Sequence, residues 1–169
     1  MKHNLQFDFI ADKEKNTLTI RREFLAGRPL VWDCYTKSEL LDQWFAPAPL
    51  TTKTKSMDFT EGGHWHYAMV MPDGTEHWGY TAYLKIQPID FYTASDAFSN
   101  AEGEINEALP RSEWFVTFTD KEENALVESV VTYKSLSDLE QVIQMGMEQG
   151  MAATLEKLDK LLLTVNSKK

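Results

Sequence analysis

Between Leu50 and Tyr133 apolar and polar positions alternate in six successive runs, at about 50–59, 63–71, 76–87, 90–98, 113–119 and 125–133. A period of two sends successive side chains to opposite faces of a sheet, so these runs predict an antiparallel meander. Ahead of them, residues 5–10 read as an extended arm, and Asp12-Lys13-Glu14-Lys15-Asn16 reads as a turn into a strand over about 17–25. Beyond Gly27 the period lengthens. Pro29 opens a short helical run carrying Val31, Trp32 and Tyr35. Thr36-Lys37-Ser38-Glu39 then has capping-box spacing before Leu40, Leu41, Trp44 and Phe45, which share one helical face. Ala46-Pro47-Ala48-Pro49 ends that second helix.

A second capping-box spacing, Ser137-Asp138-Leu139-Glu140, opens a helix predicted to run to about residue 165. Leu139, Ile143, Met147, Met151, Leu155, Leu158 and Leu162 form its apolar stripe. Gly146 and Gly150 lie within or beside that stripe. An interior glycine costs a helix about 1 kcal/mol relative to alanine, so open space or close backbone contact is expected there. The pattern is α+β: a curved antiparallel sheet, two short helices after its first strand, and one long C-terminal helix. With no repeat, low-complexity tract or linker, residues 1–169 read as one domain, of which 1–16 form an N-terminal arm and turn.

Pro72-Asp73-Gly74-Thr75 contains the Asp-Gly pair suited to a two-residue hairpin turn. With Pro72 opposite Thr75, Trp65 and Tyr67 share a face with Trp78, Tyr80 and Ala82. His64, His66 and Val70 then share the other face with His77 and Thr81. If the sheet packs that face on the long helix, Trp65, Tyr67, Met69, Trp78 and Tyr80 face its Met147 and Met151. Rings and adaptable thioethers suit a planar or lipid-like guest, although the same side chains could simply fill a closed core. Trp44 and Phe45 would form the mouth or cap the sheet, and Gly150 would leave room for the guest.

Charge narrows the partners. A formal net charge of −9 repels phosphodiester backbones and anionic headgroups, so neither nucleic acid nor a membrane surface is expected as partner. No run approaches the length of a membrane helix and the first residues lack the apolar core of a signal peptide, which together suggest a cytoplasmic protein. Cys34 is the sole cysteine and is expected to be a packed thiol. It excludes an internal disulfide and a cysteine-based zinc site. His64 and His66 could offer two ligands from one face, but the expected register holds His77 too far along its strand to join them, so no metal is expected. Phosphate loops, dinucleotide fingerprints and nucleophile elbows are absent, and no cofactor is implied. Tyr67, Tyr80 and Asp96 are the only acid or base candidates for the pocket, and no catalytic residue is assigned.

Several strings, in order, carry a family resemblance: Leu18-Thr19-Ile20-Arg21-Arg22-Glu23-Phe24, Val31-Trp32-Asp33, Glu39-Leu40-Leu41-Asp42-Gln43-Trp44-Phe45-Ala46-Pro47, Gly62-Gly63-His64-Trp65-His66-Tyr67, Met71-Pro72-Asp73-Gly74, His77-Trp78-Gly79, and Gly150-Met151 before Leu158-Asp159. Over about residues 17–163 the chain resembles the START-like, or SRPBCC, superfamily. Within it, the similarity is to homologues of the C-terminal domain of the activator of heat-shock-protein-90 ATPase. One departure is Pro88-Ile89-Asp90-Phe91, where the family commonly has a Pro-Pro-Glu-Arg-Leu-like string. The resemblance implies a helix-grip fold with a cavity between sheet and long helix, and binding more than catalysis. Two alternatives stay open: an enzyme of the polyketide cyclase or hydrolase type, and a co-chaperone. The latter is disfavoured because the chain has no further N-terminal domain. Oligomeric state is open, a homodimer included.

Overall fold

The computed structural model describes residues 5–166, so the first four residues of the predicted arm lie outside the described residues. Two strands, β1 (Phe7–Asp12) and β2 (Thr17–Phe24), precede two helices, α1 (Arg28–Thr36) and α2 (Ser38–Trp44). Six strands follow: β3 (Thr51–Asp58), β4 (His64–Val70), β5 (Glu76–Gln87), β6 (Phe91–Ser99), β7 (Ser112–Lys121) and β8 (Asn124–Tyr133). Helices α3 (Leu136–Gln144) and α4 (Met147–Asn166) close the chain. The eight strands make one antiparallel sheet in the order β1-β2-β8-β7-β6-β5-β4-β3. The predicted meander is thus extended by the N-terminal hairpin, which docks on the last strand.

The arm of the sequence reading is a strand because its edge is paired and tied. Asp12 Oδ1 accepts the backbone N–H groups of Glu14 and Lys15 at 3.0 and 3.2 Å, which shapes the turn into β2. Glu23, buried in β2, accepts from Asn124 Nδ2 at 2.8 Å and from Gln6 N and Lys121 Nζ at 3.1 Å. The Asn124 amide, with further help from Gln6 and Lys121, holds the Glu23 carboxyl below the usual carboxylate range.

Two bulges bend the sheet, between Thr54 and Ser56 in β3 and between Tyr83 and Lys85 in β5. Leu155, Leu158 and Leu162 of α4 are buried against the concave face with Leu18, Val31, Leu41, Trp44, Val116 and Phe118. Arg22 Nη2 reaches Asp159 at 3.0 Å, and Lys157 Nζ donates to the Leu50 carbonyl at 3.2 Å, so both sides of α4 are moored. The departure at Pro88–Phe91 has a structural partner: Asp90 accepts from Arg28 Nη1 at 2.8 Å, joining the β5–β6 turn to the start of α1.

Three local expectations are corrected. Thr36 does not cap α2, because its hydroxyl donates back to the Trp32 carbonyl at 2.8 Å and α2 begins after Lys37 with no side-chain cap. The C-terminal helix is capped by Ser135, whose Oγ accepts from Asp138 N at 3.1 Å, not by Ser137. Nor is that helix continuous. Gly146 has φ +90°, the left-handed conformation that ends α3, and α4 starts at the next residue.

A fourth correction decides the site. The β4–β5 loop has three residues: Gly74 N donates to the Met71 carbonyl and Met71 N to the Thr75 carbonyl, both at 2.8 Å, with Gly74 at φ +92°. That is a turn with Pro72 in its second position followed by a left-handed glycine, and it shifts the pairing by one residue relative to a two-residue turn. Tyr67 therefore pairs with Gly79, Trp65 with Thr81 and His66 with Tyr80. Trp78 and Tyr80, expected on the concave face, lie on the convex one. Thr81, expected outside, lies inside.

Candidate functional site

The corrected register lines up one inward row across five strands: Trp65, Thr81, Asp96, Ser112 and Tyr133. Beside it run Tyr83, Ala94, Trp114 and Val131. Between these rows and α4 lies a cavity of two adjoining lobes with shared walls. The inner lobe, about 70 Å³, is bounded by Trp44, Trp65, Tyr83, Tyr92, Val116 and Leu155. The outer lobe, about 290 Å³, opens between Met69, Pro110, Val142 and Met147. Phe45, Tyr67, Asp96, Trp114 and Met151 border both.

The rings turn apolar faces to this space because their polar ends are bonded elsewhere. Trp65 Nε1 donates to Thr54 Oγ1 at 3.0 Å, Trp44 Nε1 to the Cys34 carbonyl at 2.9 Å, and Trp114 Nε1 to Ser112 Oγ at 2.9 Å. Trp65 and Tyr67 stack with centroids 3.9 Å apart, and Phe45 meets Trp65 edge-on at 4.9 Å.

Asp96 is the exception in this apolar lining. Its Oδ1 accepts from Thr81 Oγ1 at 2.9 Å and, over a longer 3.4 Å, from Tyr67 Oη. It is partly exposed and lines both lobes. Burial pushes its carboxyl up to about 6, against the opposing pull of the Thr81 and Tyr67 hydroxyls. Burial also raises the Tyr67 phenol well above its ordinary range, reinforced by the neighbouring Asp96 charge. Gly79 makes the Tyr67 contact achievable: a Cβ there would stand 2.5 Å from Tyr67 Cζ and Oη, so the ring crosses β5 only over a glycine.

Of the residues expected to bind ligand, Trp44, Phe45, Trp65, Tyr67, Met69, Met147 and Met151 line the lobes. Tyr80 does not: its ring stacks on His64 across the convex face at 5.4 Å. Trp78 borders the outer lobe, but its ring packs on His66 at 4.8 Å. Gly150 borders neither lobe, and a Cβ there would meet only Pro47 Cγ at 4.0 Å. Gly146 borders the mouth as the stop of α3 rather than as a vacancy in a helix. His64 and His66 face outward as expected. His77 does not join them; it is exposed beside the mouth with Nε2 3.3 Å from Met71 Sδ. Among the described residues no group of three or more His, Cys, Asp or Glu is placed to hold a metal ion. Thr81, Trp114, Tyr35 and Tyr92 were missed as lining residues. For Tyr92 and Trp114 the signal was the alternation of β6 and β7, for Thr81 it was the register of β5, and Tyr35 sits on α1.

A curved antiparallel sheet closed over a C-terminal helix, with an apolar cavity between them, defines the helix-grip, START-like class. The chain belongs to the family described as Activator of Hsp90 ATPase homolog 1-like protein, whose model matches residues 26–163. Similar solved structures include a Staphylococcus epidermidis protein, 31% identical, with 94% of each chain covered and a TM-score of 0.81. Another is protein Ms6760 from Mycobacterium smegmatis, 28% identical, covering 94% of this chain and 96% of that one at a TM-score of 0.85. An Arthrobacter aurescens protein is 26% identical, covering 93% of this chain and 91% of that one at 0.87. No curated protein sequence matches.

Proposed function

We propose that this protein binds a small, largely apolar molecule in the two-lobed cavity and does so without chemical turnover. The observation that carries the reading is the junction of the lobes. There Phe45, Tyr67, Trp114 and Met151 border both lobes with rings and a thioether, with the single carboxylate of Asp96 among them. Sites for small molecules are commonly concave, mostly apolar and supplied with a few placed polar groups. The protein acts in the cytoplasm on this reading. Its acidity and the absence, among the described residues, of a helix long and apolar enough to cross a membrane both fit a small-molecule partner.

A neutral apolar fluorophore, N-phenyl-1-naphthylamine, tests it. Emission should rise on saturable one-to-one binding. Met151→Trp, which fills the junction, should weaken binding by about tenfold or more while the far-ultraviolet spectrum is unchanged. A wild type that gives no saturable enhancement contradicts the reading.

One observation favours a second reading: a buried carboxyl with its pKa near 6 is tuned for proton transfer near neutrality. In a cyclase or hydrolase Asp96 would be the general base. Turnover of aryl esters or polyketide mimics that disappears in Asp96→Asn would select this reading over passive binding. A role on the heat-shock-protein-90 ATPase rests on the family description alone, and fold does not carry function.

A further inference from the structure

This inference rests on the cavity being a ligand site, and it specifies the ligand. We propose that the cavity takes a lipophilic amine, a guest with an aromatic or branched apolar body and one protonated nitrogen that pairs with Asp96.

Among the described residues lining the two lobes Asp96 is the sole acid. Lys and Arg are absent from both linings, and His77 stands exposed at the rim. The carboxylate is compensated inside the fold by neutral donors, the Thr81 hydroxyl at 2.9 Å and the Tyr67 hydroxyl at 3.4 Å, both on the same oxygen, and the Ala97 backbone N–H. A buried charge without a counter-ion is costly, and a cationic guest supplies the missing partner. An anionic guest adds a second like charge to the same enclosed space. A neutral apolar guest leaves the cost in place.

The walls suit the same choice. Ammonium groups are attracted to the faces of Trp, Tyr and Phe, and the Asp96 carboxylate is surrounded by lining from Tyr67, Trp114 and Phe45. The other polar ends near it are already used: Ser112 accepts from Trp114 and the Tyr133 hydroxyl donates to Met147 Sδ at 3.6 Å. At long range the net charge of −9 concentrates cations about the molecule and depletes anions. Selection of this kind needs no new residue.

Three probes with the same ring and short arm separate the cases: 2-phenylethylamine, 2-phenylethanol and 3-phenylpropanoate, titrated into the full chain by calorimetry at pH 7.5. The amine should bind about tenfold or more tightly than the alcohol, and the carboxylate most weakly. Asp96→Asn, which keeps the oxygen that accepts from Thr81 and Tyr67, should bring amine and alcohol within about threefold of each other through loss of amine affinity. An alcohol that binds wild type as tightly as the amine overturns the amine proposal and leaves the cavity reading standing. Unchanged amine preference in Asp96→Asn also overturns it. If none of the probes binds while N-phenyl-1-naphthylamine does, the amine proposal falls and the cavity reading stands; if the fluorophore fails as well, the cavity reading falls with it. The wild-type comparison requires no variant to fold.

Discussion

At the scale of the residue, Asp96 ties stability to pH. Its folded pKa of about 6 lies above the ordinary 3.8, so the native state binds the proton more tightly than the unfolded chain. The carboxyl therefore costs nothing below about pH 3.8, and stability falls as pH rises from there through about 6. The groups facing it are Tyr67 from β4, Thr81 and Tyr83 from β5, Tyr92 on β6, Ser112 from β7 and Tyr133 from β8, with Met147 and Met151 from α4. None is cationic. Asp96→Asn should consequently stabilise the protein by about 1–3 kcal/mol at pH 8, with the difference vanishing toward pH 4. Urea denaturation of both proteins across that range measures it, and a variant less stable at every pH contradicts the assignment of burial as the cause. Glu23, with its pKa lowered by its hydrogen bonds, acts in the opposite sense and should be common to both proteins. A second residue-scale prediction concerns Gly79. Gly79→Ala forces Tyr67 off β5, so it should cost about 1–3 kcal/mol of stability and shift the near-ultraviolet tyrosine and tryptophan signals. An unperturbed melting temperature would show that the ring relocates freely.

At the scale of the element, the hairpin and the helix break show what the chain disclosed and what it withheld. Strand and helix positions were legible because hydrophobic period is local: β3 to β8 stand within a few residues of the six predicted runs. The facing of β5 was not. The same Pro72-Asp73-Gly74 string serves a two-residue or a three-residue loop, and choosing wrongly exchanges every side chain of the strand between faces. That one slip placed Trp78 and Tyr80 in the site and left Thr81 out, while Trp65 and Tyr67 on the preceding strand were read correctly. Asp96 was legible as an acid or base candidate, yet its partners were not, since they come from strands whose alignment depends on the loop. The two helix glycines looked alike in sequence and differ in backbone. Gly146→Ala should destabilise by about 1–2 kcal/mol because φ +90° is costly for an L side chain. Gly150→Ala should be neutral or stabilising by up to about 1 kcal/mol, its new methyl meeting only Pro47 at 4.0 Å. Thermal denaturation of the pair checks the break between α3 and α4, and equal effects would argue for one continuous helix.

At the scale of the whole molecule, the sheet, α2 and α4 enclose a space whose walls are already packed and whose polar ends are mostly satisfied. Such a fold can hold a guest without rearranging its core. Native mass spectrometry of protein purified without detergent tests this most directly, both as isolated and after incubation with a small apolar amine. The expected result is a one-to-one adduct of small mass that is released on collisional activation and is weakened in Met151→Trp. Spectra showing only the bare chain under both conditions, from protein that remains folded, would contradict it.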